Sequence, residues 1–130
     1  MNLLMIHDDS LFSALIVEFL RFQKYAVYET NSAETSLAAV AQRRVDLAIC
    51  ILPDEHSDRF ALVDELRYRH PTLPLIALAT YPMSGQLQAQ LQDHTPYCLT
   101  KPFAVASLLS IIGDATGIRK TRISLSAISA

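Results

Sequence analysis

Glycine is scarce in this sequence, three in 130 residues. So few exclude a glycine-rich loop of the kind that cradles phosphates. Cysteine occurs twice, at Cys50 and Cys98, each inside an apolar run. Two distant cysteines do not make a disulfide framework and read as small buried hydrophobes. No apolar run approaches the roughly 18 residues of a membrane span. No positively charged leader precedes the first apolar run, Leu3–Ile6, which leads straight into charge. Net charge is only −2, which gives neither a nucleic-acid footprint nor a polybasic membrane patch. The one basic cluster, Arg119, Lys120 and Arg122, lies near the end and reads as solvated. A cytoplasmic, reducing setting is therefore expected. No Ser-His-Asp arrangement stands out.

What is present is apolar and globular: 51% hydrophobic and 18% charged residues, over a length that fits one domain. Short apolar runs alternate with helical patterns. Strands are expected at Leu3–Ile6, Tyr25–Tyr28, Asp46–Leu52, Pro74–Ala79 and Tyr97–Leu99. Between them, Ser10 caps a helix carrying Leu11, Phe12, Leu15, Ile16, Phe19 and Leu20. Asn31 or Ser32 starts a second, with Leu37, Val40 and Ala41 on one face. Asp58 is placed as the cap of a third, carrying Phe60, Leu62, Val63 and Leu66 and ending before Pro71. Met83–Leu91 is a Gln-rich helix and Phe103–Ile112 a final one.

Five β–α repeats with continuously apolar strands predict a parallel sheet covered on both faces. The fold class is α/β, a flavodoxin-like (βα)5 doubly wound sheet of strand order 2-1-3-4-5. Residues 1–115 form the domain. Residues 116–130 are a tail or a linker toward a further domain. Any site belongs at the carboxyl ends of the strands around the switch point. These ends carry His7-Asp8-Asp9, Ile51-Leu52-Pro53, Ala79-Thr80 and Thr100-Lys101-Pro102. Acids on the first strand facing a lysine on the fifth would suit a divalent cation and an anion.

The motif LTKPF (Leu99–Phe103), the acidic turn after the first strand and DLAICIL (Asp46–Leu52) resemble the receiver domain of two-component response regulators, over about residues 1–115. The resemblance implies a Mg²⁺-dependent aspartyl-phosphate acceptor. Such a domain has an acidic pair after strand 1, an aspartate ending strand 3, a Thr or Ser ending strand 4, an aromatic on strand 5 and a lysine before a proline. Carried over by position, the acidic pair falls on His7 and Asp8, with Asp9 beside them. A slip of one residue would make Asp8 and Asp9 the pair. Asp46 and Phe60 anchor strand 3 and its helix without a gap, which puts Ile51 at the phosphoacceptor position and Arg59 in place of a glycine. The hydroxyl position falls on Ala79, with Thr80 next. The switch aromatic falls on Cys98, with Tyr97 before it. Lys101 and Pro102 fit, and their peptide bond is expected to be cis.

Ile51 can neither attack phosphorus nor bind a metal. No catalytic residue is assigned, an enzyme is not expected, and no cofactor is expected. Asp8 is the one remaining candidate ligand for a weak Mg²⁺ site. Lys101 is expected to pair with Asp8 or Asp9. His7 replaces an acid and reads as a hydrogen-bonded passive histidine or a pH-sensitive group. The acidic loop Asp54, Glu55, His56 and Asp58 reads as solvated. Asp54 stands about 10 Å along an extended chain from the lost carboxylate, too far for in-line transfer.

The expected function is that of an atypical receiver in signal transduction, a phosphorylation-independent protein-interaction module. It would act through the face of the Gln-rich helix, strand 5 and the final helix, with Tyr81, Leu87, Leu91, Tyr97 and Cys98, toward a protein partner or a second copy. Nucleic acid would enter only through an output domain. The alternatives are a phosphate acceptor using a shifted acid and a domain that senses a small ligand in the vacated pocket.

Overall fold

In a computed structural model, residues 1–54, 57–79, 85, 89, 91, 97–100 and 105–117 are described. Five strands, β1 (Asn2–Ile6), β2 (Ala26–Thr30), β3 (Leu47–Leu52), β4 (Leu75–Ala79) and β5 (Tyr97–Thr100), form one sheet in the order β2-β1-β3-β4-β5. All pairings are parallel. The helices with described bounds are α1 (Leu11–Phe22), α2 (Ala33–Gln42), α3 (Arg59–Arg69) and α4 (Val105–Thr116). Gly85, Ala89 and Leu91 are also helical, within the span expected for the Gln-rich helix.

The alternation of side chains along each strand sends successive residues to opposite faces, and here both faces are covered. Leu3, Met5, Ile49, Ile51, Ile76 and Leu78 meet Ile16, Val17 and Leu20 of α1 and Leu108, Leu109 and Ile112 of α4. Leu4, Ile6, Cys50, Leu52 and Ala77 meet Ala39 of α2 and Leu62, Val63 and Leu66 of α3. This two-sided burial explains why β1, β3 and β4 read as unbroken apolar runs. It is the flavodoxin-like α/β architecture expected from the sequence.

Local chemistry sets the ends of the elements. Ser10 is the N-cap of α1, its Oγ accepting from Ser13 N–H at 3.1 Å. Ser32 does the same for α2, accepting from Thr35 N–H at 3.1 Å. After α1, Lys24 takes φ 72° and Tyr25 N–H returns to Leu20 C=O at 3.2 Å, a left-handed helix stop.

Four local expectations are corrected. Asp58 stands before α3 but its side chain caps nothing; its backbone is already helical, and Ser57 Oγ accepts from Arg59 N–H at 3.1 Å instead. The second strand is Ala26–Thr30, not Tyr25–Tyr28: Tyr25 is buried in the core beneath α1, before pairing with β1 begins at Ala26. The final helix, described from Val105, runs past Ile112 to Thr116, whose Oγ1 donates to Ile112 C=O at 2.7 Å. Leu11 and Leu15, expected at helical spacing with the other apolar residues of α1, both face outward.

Candidate functional site

The carboxyl end of β3 lies in the middle of the sheet. Ile6 pairs with Cys50 across the β1–β3 ladder and Ile51 pairs with Leu78 across β3–β4. His7 therefore follows directly beside Ile51. Ile51 has 0% exposure and points into the cluster formed by α1 and α4. Its hydrocarbon side chain offers neither a nucleophile nor a metal ligand. On the next strand, Ala79 is also fully buried and pairs with Leu52 and Thr100. It offers no hydroxyl.

Asp8 keeps a carboxylate at this end of the sheet, and the start of α1 occupies it. Its Oδ1 accepts from Ser10 N–H at 3.0 Å, from Ser10 Oγ at 2.5 Å and from the Ser13 hydroxyl. Burial pushes the Asp8 carboxyl up, but the hydroxyls of Ser10 and Ser13 and the Ser10 N–H outweigh it and hold the group below its ordinary value. Ser13 itself is fully buried. One oxygen of the carboxylate thus serves as the hub of a helix cap. Asp9 is exposed and adopts φ 61°, a left-handed conformation that Asp tolerates better than most residues.

His7 is 9% exposed and turns toward the neighbouring strand. Its N–H donates to Thr30 C=O at 2.6 Å. Its Nε2 lies 2.6 Å from Glu29 Oε1. The contact is close but bent, so that neither ring nitrogen has an aligned hydrogen bond among the described residues. It is an ionic contact when the imidazole is protonated and a polar one otherwise. Glu29 Oε2 also receives Arg21 Nη2 at 3.1 Å. His7, Asp9, Glu29, Thr30 and Asn31 line a cavity of about 210 Å³ beside this end of the sheet. Glu29 had no place in the sequence-based site, because only the β1–β2 register brings it next to His7.

Arg59, expected from the resemblance to stand where a glycine is usual, is 9% exposed. Its Nη2 donates to Asn31 C=O at 2.8 Å, tying α3 to the loop after β2. Its Nη1 has no hydrogen-bond partner among the described residues. Burial pushes the Cys50 thiol up to about 12, although Arg59 nearby pulls the other way.

No three His, Cys, Asp or Glu side chains converge into a metal-binding group among the described residues. Thr80, Tyr81, Leu87, Lys101 and Pro102 lie outside the described residues, and so do Glu55 and His56. Of the expected interaction face, Tyr97 and Cys98 are half-buried. Leu91 is not on that surface; it is 3% exposed and packs in the core beside α3. No helix among the described residues is long and apolar enough to cross a membrane.

The fold and sequence both have known relatives. The DNA-binding transcriptional regulator NtrC of Bradyrhizobium is 27% identical over 125 residues, 95% of this chain and 26% of that protein. The chain thus spans about a quarter of the length of that relative. The response regulator TrrA of Thermotoga maritima, solved with Mg²⁺ and BeF, superposes with a TM-score of 0.75 at 18% identity, covering 88% of this chain and 97% of that one. The receiver domain of a sensor histidine kinase from Pseudomonas aeruginosa, solved with magnesium in its active-site cleft, gives 0.76 at 23% identity, with 89% and 97% covered. At these identities the two structures speak for the fold alone. A model of the response regulator receiver domain matches residues 3–113, nearly the whole sheet and its helices, and the chain belongs to that family.

Proposed function

We propose that this receiver domain is a pseudo-receiver, which works in signal transduction as a protein-interaction module without being phosphorylated. The observation that carries this reading is Ile51, fully buried at the carboxyl end of β3. Counting without a gap between Asp46 and Phe60 supports reading Ile51 as the phosphoacceptor position. Two features add support. The Asp8 carboxylate is engaged by Ser10 and Ser13, and Ala79 has no hydroxyl. A divalent cation would meet one committed carboxylate, which favours weak Mg²⁺ binding or none. The domain catalyses nothing in this reading and needs no cofactor.

Its output is contact with another protein or a second copy. The side formed by β5 and α4, with Tyr97 and Cys98, is the docking face proposed from sequence. An apolar surface on α1 supports an interaction role: Leu11, Leu15 and Phe22 are 75%, 60% and 80% exposed, and large apolar side chains grouped on one helix mark contact surfaces. The NtrC relative is a DNA-binding transcriptional regulator. By analogy, a longer protein containing this module would act on transcription from the cytoplasm, through an attached output domain.

Incubation with acetyl phosphate and Mg²⁺, followed by intact-mass measurement, tests the reading. No +80 Da acid-labile species is expected. Such a species, abolished by Asp54→Asn, would replace this reading with that of a phosphate acceptor using a shifted acid.

A further inference from the structure

The amino ends of β1 and β2 frame a second cavity, at the opposite end of the sheet from Ile51. It measures about 360 Å³ and is walled by Asn2, Val27, Tyr28, Arg43, Arg44 and Val45, among others. This lies at the lower end of the range for small-ligand sites, which are mostly apolar with a few placed polar groups. Val45 supplies apolar wall, and Tyr28 supplies an aromatic one.

The charge is one-sided. The Arg43 guanidinium stacks 3.8 Å above the Tyr28 ring, and no carboxylate lies within ion-pair distance of it among the described residues. Stacking on the ring restrains the long side chain before any ligand arrives. Arg44, its side chain 85% exposed, has Nε 3.6 Å from Asp46 Oδ1. The loop carrying the two arginines is pinned to β1: Asn2 Nδ2 donates to Arg44 C=O at 3.1 Å, and Asn2 N–H donates to Asp46 Oδ2 at 2.8 Å. The loop and one cation are thus fixed in advance, and two planar forks stand beside an apolar, aromatic wall.

We propose that this cavity binds a small carboxylate with a flat apolar body, an aromatic acid in chemical class. The carboxylate would pair with the guanidinium forks, which match its two oxygens. The flat body would lie beside Val45 and the Tyr28 ring, one face of which Arg43 covers. A bare inorganic anion would forgo the apolar wall, and a neutral aromatic would forgo the charge pairing. This site does not touch the residues that carry the pseudo-receiver reading and stands or falls separately from it.

Amide-resolved ¹H–¹⁵N NMR of the chain, titrated in turn with benzoate, benzamide and inorganic phosphate, tests the site. Benzoate should move the amides of residues 27, 28 and 43 to 45 in a saturable way. Benzamide and phosphate should bind at least about tenfold more weakly, the worth of one charge-assisted contact. Arg43→Gln and Tyr28→Ser should each weaken benzoate by about tenfold or more. If Arg43→Gln loses spectral dispersion, Arg44→Gln takes its place with the same expectation. Absence of a saturable response at these amides overturns the site. So does equal binding of benzamide or phosphate, or undiminished benzoate affinity in the folded variants.

Discussion

The Nε2 of His7 and the Oε1 of Glu29 stand 2.6 Å apart across the β1–β2 ladder, and the other Glu29 oxygen takes a hydrogen bond from Arg21 of α1. A buried imidazole at the end of β1 is thereby answered by a carboxylate on the neighbouring strand. Glu29→Gln should remove that charge and leave His7 facing an amide. The side chain of Glu29 is 39% exposed, so water screens part of the loss. A cost of about 0.5–1.5 kcal/mol in urea unfolding is expected. A double-mutant cycle with His7→Ala should separate the share of His7 from that of Arg21, which also pairs with Glu29.

Asp8 gives a stability that depends on acid. Its folded-state proton affinity is lowered by the Ser10 and Ser13 hydroxyls against the opposing effect of burial. A depressed carboxyl contributes stability above its unfolded value, near 3.9, and loses it as pH falls through the lower folded value. Asp8→Asn should therefore cost about 1–2 kcal/mol at pH 7. The gap between the two proteins should narrow below about pH 4. Thermal melts between pH 7 and pH 2.5 read this out. A gap that stays constant down to pH 2.5 would detach Asp8 from the cap.

Ile51 belongs to the core as it stands. Ile51→Val should cost about 0.5–1.5 kcal/mol, the range for removing one buried methylene. Ile51→Asp should cost more, about 3 kcal/mol or above, because a carboxyl enters a fully apolar cluster. Chemical denaturation orders the three proteins. An aspartate variant as stable as the parent would mean that this strand end is polar and open.

Both thiols should be slow to react. Burial raises Cys50 to about 12 and Cys98 to about 11, so little thiolate exists at pH 8. Iodoacetamide should label neither in the folded chain within minutes and both after unfolding. Mass spectrometry of timed samples measures this.

The sheet was legible because its inner strands are buried on both faces. Leu47–Leu52 and Leu75–Ala79 are apolar at every position, which only a parallel sheet with two helical layers demands. The burial of Ile51 was legible too, because it lies inside the unbroken apolar run of β3. The partners of His7 and Asp8 were not. Glu29 is 22 residues from His7 in sequence, and only strand register joins them; Ser13 could have been suspected from its position three residues after the cap. Helix α1 is apolar around most of its circumference, so nothing in the pattern said that Ile16 faces the core while Leu15 faces out. Leu91 failed for the opposite reason: a leucine in a weakly patterned, Gln-rich helix looked like surface and is core.

The most direct measurement adds beryllofluoride and Mg²⁺ to the chain and follows its backbone amides by NMR. The pseudo-receiver account predicts no saturable change at residues 7–9, 51–54 and 79 at millimolar concentrations, with the melting temperature unmoved. Saturable shifts at those amides with a rise in melting temperature would contradict it.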